Sequence, residues 1–147
     1  MVGMKPYSFS MESVLEWRES IEKTSMEKYA AAQYELKHEI QVLEHLNKEN
    51  EQIKEKSLSC RNIVEIRHLQ LYKQTIDERI EAQIEIVEIK KDELEKLRLE
   101  LIHAQKDRKI MEKLKEKDFS NYNEESKRED QKNLDEIAVL KFKRIDN

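Results

Sequence analysis

The stretch Ile76-Asp-Glu-Arg-Ile80-Glu-Ala-Gln-Ile-Glu-Ile-Val87-Glu-Ile-Lys-Lys-Asp-Glu-Leu94-Glu-Lys-Leu97-Arg-Leu-Glu-Leu101 decides the fold. Ile80, Val87, Leu94 and Leu101 recur at heptad intervals, a series that reaches back to Ile66. Leu69, Ile76, Leu97, Ala104 and Met111 fill a second heptad position beside it. Two apolar positions per heptad make the narrow stripe of a coiled coil, wide enough for one partner helix and no more.

Outward from this stretch nothing tells the backbone to stop. Residues 7–147 contain no proline and no glycine, the residues that most often break helices and make turns. Residues are 41% charged, 37% hydrophobic and only 6% aromatic, too few apolar side chains for a compact globule of 147 residues but enough for a helical seam. A disordered charged chain would lack this sustained register.

Upstream, Phe9-Ser10 reads as a helix start, with Ser10 as cap and Phe9 stapled onto Val14. A first seam follows through Val14, Trp17, Ile21, Tyr29, Ala32, Leu36, Ile40, Leu43, Leu46 and Ile53, which assigns Trp17 and Tyr29 to the core. It fades into Ser57-Leu-Ser-Cys-Arg-Asn62, where small polar side chains compete for backbone hydrogen bonds. The expectation is an all-α chain forming one coiled-coil domain over 1–147. It is a long antiparallel two-helix hairpin: helix one over about 10–57, a turn at about 58–62 and helix two over about 63–141. Residues 1–9 and the extreme C-terminus are expected to be flexible.

The helices are unequal. With the turn near residue 60, the start of helix one lies opposite roughly residue 109, and roughly 30 residues of helix two overhang, projecting on the order of 45 Å. The overhang still carries Leu114, Phe119, Tyr122, Leu134, Ile137, Leu140 and Phe142, so it wants a partner. Phe119-Ser-Asn-Tyr-Asn123 is poor in helix formers and is the expected kink or fraying point.

Several function classes are excluded. With one glycine in 147 residues there is no phosphate loop, dinucleotide fingerprint or nucleophile elbow, so no intrinsic ATPase is expected. A two-helix hairpin offers no concave, water-excluding site for catalysis or a cofactor. His38 and His45 share a helix face but lack the spacing and further ligands of a metal site. The formal net charge of -4, with interleaved signs, argues against a nucleic-acid binder. A single cysteine, Cys60, builds no disulfide framework and suits a reducing cytosol. No apolar run is long enough to cross a bilayer, and no signal-peptide core is present. The stretch Gln105 to Lys117 carries six Lys or Arg against three Asp or Glu, either a solvated face or a basic contact surface.

The run Arg108-Lys-Ile-Met-Glu-Lys-Leu-Lys-Glu-Lys117, then Tyr122, then Asp130-Gln-Lys-Asn-Leu-Asp-Glu-Ile-Ala138, together with the opening Phe9-Ser-Met-Glu-Ser-Val-Leu15, resembles the flagellar export protein FliJ family. That resemblance implies a non-enzymatic cytoplasmic component of the flagellar type III export apparatus, peripheral to the inner face of the cell membrane at the flagellar base and needed for motility. FliJ proteins look like the central stalk of rotary ATPases, engaging the hexameric export ATPase and the export gate's membrane protein and escorting export chaperones. Carried onto this sequence, the ATPase end comprises Arg108, Lys109, Lys113, Tyr122, Gln131, Leu134, Asp135, Glu136 and Ile137. The gate-facing surface would lie nearer the turn, on Leu46, Ile53, Tyr72 and Ile76. Two other readings stay open: a structural coiled coil that pairs its overhang with a second copy, and the equivalent stalk of a virulence type III system.

Overall fold

A computed structural model describes residues 5–146; of the ends expected to be flexible, residues 1–4 and 147 lie outside the described residues. The chain forms α1 (Glu12–Ser59, 48 residues) and α2 (Ile63–Asp146, 84 residues), with no strand among the described residues. The fold is the all-α, two-helix coiled coil with the longer second helix. Its packing divides into two units, Lys23–His103 and Met1–Glu22 with Ala104–Asn147.

In the Lys23–His103 unit α1 and α2 run antiparallel: Glu35 pairs with Lys90, and Glu39, one turn on, with Gln83, two turns back. Both α2 heptad series face α1. Ile76 is wholly buried and Val87 nearly so, while Ile66, Leu69, Ile80, Leu94, Leu97 and Leu101 are half-buried. Opposite them Ile53 is buried and Tyr29, Ala32, Leu36, Ile40, Leu43 and Leu46 are half-buried. Half-burial is what two strands can give, since each seam residue is covered by a single neighbouring helix. Fully burying one such side chain stabilises by about 1.5–3 kcal/mol. The seam is interrupted by polar layers, and Asn50 keeps a buried Oδ1 without a partner in the structure.

The turn is tighter than the composition suggests. Helix α1 runs to Ser59, where the Ser57 and Ser59 hydroxyls bond back to the carbonyls of Lys54 and Lys56. Only residues 60–62 are non-helical, and α2 starts on Asn62, whose Oδ1 accepts the Val64 amide and whose carbonyl accepts the Ile66 amide. That is an N-cap, and it allows the reversal with no residue at positive φ among those described.

The other unit departs from expectation at α1's first turn. The helix begins at Glu12, so Met11 rather than Ser10 takes the capping position, and the Glu12 amide bonds the Phe9 carbonyl. Phe9, Leu15 and Met111 form a buried cluster joined by Tyr7 and Val14. Trp17, assigned to the core from its spacing, is 56% exposed. The stripe facing α2 passes instead through Leu15, Arg18 and Glu22, and the Trp17 ring lies off it with the Arg18 guanidinium 4.9 Å above its centre. Arg18 in turn bonds Asp107, Glu22 pairs with Arg108, and Glu12 pairs with Lys115.

Candidate partner-binding site

Residues 5–9, expected to be flexible, are laid along α2 as an extended strap. The Tyr7 ring packs edge-on against Phe119, centroids 4.9 Å apart, and tilted against Tyr122 at 5.3 Å. Its hydroxyl contacts the Asp118 carboxylate at 3.2 Å and the Lys115 carbonyl at 3.4 Å. The Tyr122 hydroxyl donates to the Lys5 carbonyl at 2.5 Å. Burial and the bond to Asp118 both push the Tyr7 hydroxyl's pKa up. This strap holds the segment expected to kink: α2 runs without interruption through Phe119 and Tyr122.

The strap moves the start of the overhang. Paired structure continues to Tyr122, and beyond it α2 goes on as helix to Asp146. On that stretch Leu134, Val139, Leu140, Phe142 and Ile145 are each more than half exposed, and Ile137 is half-buried. Asp135 and Glu136 are exposed beside them; Asp135 accepts a bond from Gln131 Nε2 at 3.1 Å, an i, i+4 pair that braces the helix. Leu134, Ile137 and Ile145 fall on one side at helical spacing, a face like those that two-helix pairing buries elsewhere in the chain.

The basic stretch is partly committed inside the protein. Arg108 is half-buried and bonds both Glu22 and Glu112, which hold its guanidinium above the ordinary arginine pKa, the bond to Glu112 acting most. Lys115 is tied to Glu12. Lys109 and Lys113 are exposed and available to an acidic partner. Of the turn-side set, Ile53 and Ile76 are buried in the seam and present no surface, Leu46 is half-buried, and Tyr72 is 48% exposed with Leu71 beside it at 60%. Burial of the first two removes them from a docking surface unless the helices part. Periodicity alone could have warned of this, because Ile53 and Ile76 both sit on the heptad stripes.

Cys60 donates to the Glu65 carboxylate at 3.0 Å, and this bond pushes its thiol pKa up, the opposite of an activated nucleophile. Among the described residues no cluster of His, Cys, Asp or Glu could hold a metal, and no helix is long and apolar enough to cross a membrane. The sequence reading missed the strap; its one signal was Tyr7, an aromatic two residues before the recognised Phe9.

The family profile described as Flagellar FliJ protein matches residues 7–146, from the strap to the end of α2. The chain belongs to the flagellar FliJ family. The Flagellar FliJ protein of Bacillus subtilis (strain 168) is 28% identical over 140 residues, covering 92% of this chain and 95% of that one. No solved structure matches the chain. A FliJ-family chain is a flagellar protein related to export.

Proposed function

We propose that this FliJ-family protein is a non-enzymatic stalk of the flagellar export apparatus, and that the bare stretch of α2 beyond Tyr122 engages the hexameric export ATPase. The observation carrying this reading is that stretch: continuous helix with an apolar face more than half exposed at Leu134 and Ile145. Such a face gains stability by pairing with a partner. Leu134 and Ile137 would supply the apolar contact, Asp135, Glu136 and Gln131 its polar edge, and Lys109 and Lys113 the pairing with acidic loops. Arg108 acts from inside, holding α1 to α2 through Glu22.

A single asymmetric coiled coil bound in a six-fold ring cannot contact all six subunits alike, so it favours one subunit state over another. The turn-side surface, reduced to Tyr72 with Leu71, is the part we assign to the membrane export gate, and chaperone escort would use faces that neither partner covers. The protein would act in the cytoplasm, at the inner face of the cell membrane.

The test is ATP hydrolysis by the export ATPase with and without this protein, using wild type and a variant with Leu134, Asp135, Glu136 and Ile137 all changed to Ala. Stimulation or ring assembly by wild type that the variant loses supports the stalk. No effect from wild type, with concentration-dependent self-association, supports the self-pairing coiled coil instead.

A further inference from the structure

The stripe of α2 in the Met1–Glu22 and Ala104–Asn147 unit is covered in three different ways. Helix α1 covers it as far as Lys115, which pairs with Glu12; the extended strap covers it from Lys115 to Tyr122; beyond Tyr122 it is bare. The middle portion is held unlike the rest. Between Lys5 and Ser8 the strap is attached by the Tyr7 ring, the two contacts of its hydroxyl, and the bond that the Lys5 carbonyl accepts from Tyr122. Those hydrogen bonds are largely solvent-exposed, and Phe119 remains 46% exposed beneath the strap. A segment held by a few exposed side-chain contacts belongs to the low-stability end of a fold and opens before the helices part.

We propose that residues 5–8 are a displaceable cover on α2 and compete with the export ATPase for Phe119 and Tyr122. This rests on the reading of the bare stretch as the ATPase-binding face. A partner that pairs with α2 from its C-terminal end meets the strap at Tyr122, and each further turn it gains costs the opening of the strap. The apparent affinity is then lowered by the fraction of molecules whose strap is closed. The strap thereby shields the aromatic pair in part, leaving Phe119 46% exposed, and sets a threshold for engagement. It also explains how Tyr122 can be a contact residue while its hydroxyl and ring are taken by Lys5 and Tyr7.

The test uses the full chain and Tyr7→Ala, which removes the ring contacts while leaving the buried Phe9, Leu15 and Met111 cluster in place. Hydrogen exchange of the free proteins comes first: amides of residues 119–123 exchange faster in Tyr7→Ala, and unchanged exchange overturns the claim that the strap clamps this segment. Binding to the purified export ATPase comes second, with an expected gain in affinity of about three- to tenfold for Tyr7→Ala over wild type. Equal or weaker binding by Tyr7→Ala, with wild type binding and the Leu134 and Ile137 alanine variant not, overturns the competition and leaves the stalk reading standing. Absence of binding by wild type and Tyr7→Ala alike overturns both.

Discussion

Gln83 donates from Nε2 to the main-chain carbonyl of Glu39 at 2.9 Å and to its carboxylate at 2.5 Å, from a heptad position that holds Leu69, Ile76, Leu97, Ala104 and Met111 and that Lys90 also interrupts. At 7% exposure it is the buried polar side chain of the seam. Such a group costs desolvation and repays it only when α1 and α2 are in one register, because a slip of one heptad leaves amide and carboxylate without partners. Gln83→Ala is expected to cost about 1–2 kcal/mol in urea denaturation. Gln83→Leu should be near neutral or stabilising while permitting alternative registers, seen as broadened cross-helix distances between spin labels.

Ile76 and Trp17 form a contrasting pair. Ile76 is wholly buried, and Ile76→Ala should destabilise by about 2–4 kcal/mol, the cost of a lost side chain and its cavity. Trp17→Ala should shift stability by only about 0.5 kcal/mol, despite the larger residue, because Trp17 is 56% exposed. Thermal or urea melts of the two variants check this, and a larger loss at Trp17 would put it back on the seam.

The Arg108 and Glu22 pair is half-buried, and the guanidinium is also held by Glu112. Arg108→Ala should lower the urea midpoint, and the loss should shrink as salt rises, since part of the interaction is screened. Lys109→Ala, at an exposed position, should leave the midpoint unchanged. If both substitutions behaved alike, the basic stretch would be a uniformly solvated face.

Tyr7 gives a pH dependence. Burial and the Asp118 carboxylate raise its pKa above the ordinary 10.0, with Glu12 adding to the rise and Lys115 opposing it. A raised pKa means that the folded state favours the neutral hydroxyl. The strap's contribution is therefore complete below the ordinary tyrosine value and is lost as pH rises through the folded one. Tyrosinate absorbance of wild type against Tyr7→Phe should show one tyrosine titrating late, with exchange of amides 119–123 accelerating over the same range. The lysines bridged to Glu35 and Glu12, also raised, are lost in the same direction.

Protection along α2 should be graded. Amides around Ile76 to Met111 should be the slowest to exchange and those beyond Tyr122 the fastest, because a helix of this length without a packed face is marginal in water. Addition of the export ATPase should protect the segment around Leu134 to Ile145 selectively.

The sequence by itself determined the helices, their hairpin and their unequal lengths. These follow from properties of single residues and their spacing: no Pro or Gly after Pro6, two heptad series from Ile66 to Met111, and a run of Ser, Cys and Asn at the turn. Membership of the FliJ family was legible in the two end motifs, and the family profile that matches residues 7–146 spans both. Tertiary structure decided what one-dimensional spacing leaves degenerate. Near a helix start several stripes fit a few apolar residues equally well, and the register set by Glu12, Arg18 and Glu22 against Lys115, Asp107 and Arg108 chose the stripe through Leu15 and turned Trp17 outward. The strap was invisible for the same physical reason. Residues 5–9 have no period of their own, and their place is fixed by side chains more than a hundred residues away, Asp118, Phe119 and Tyr122, which only the folded chain brings to them.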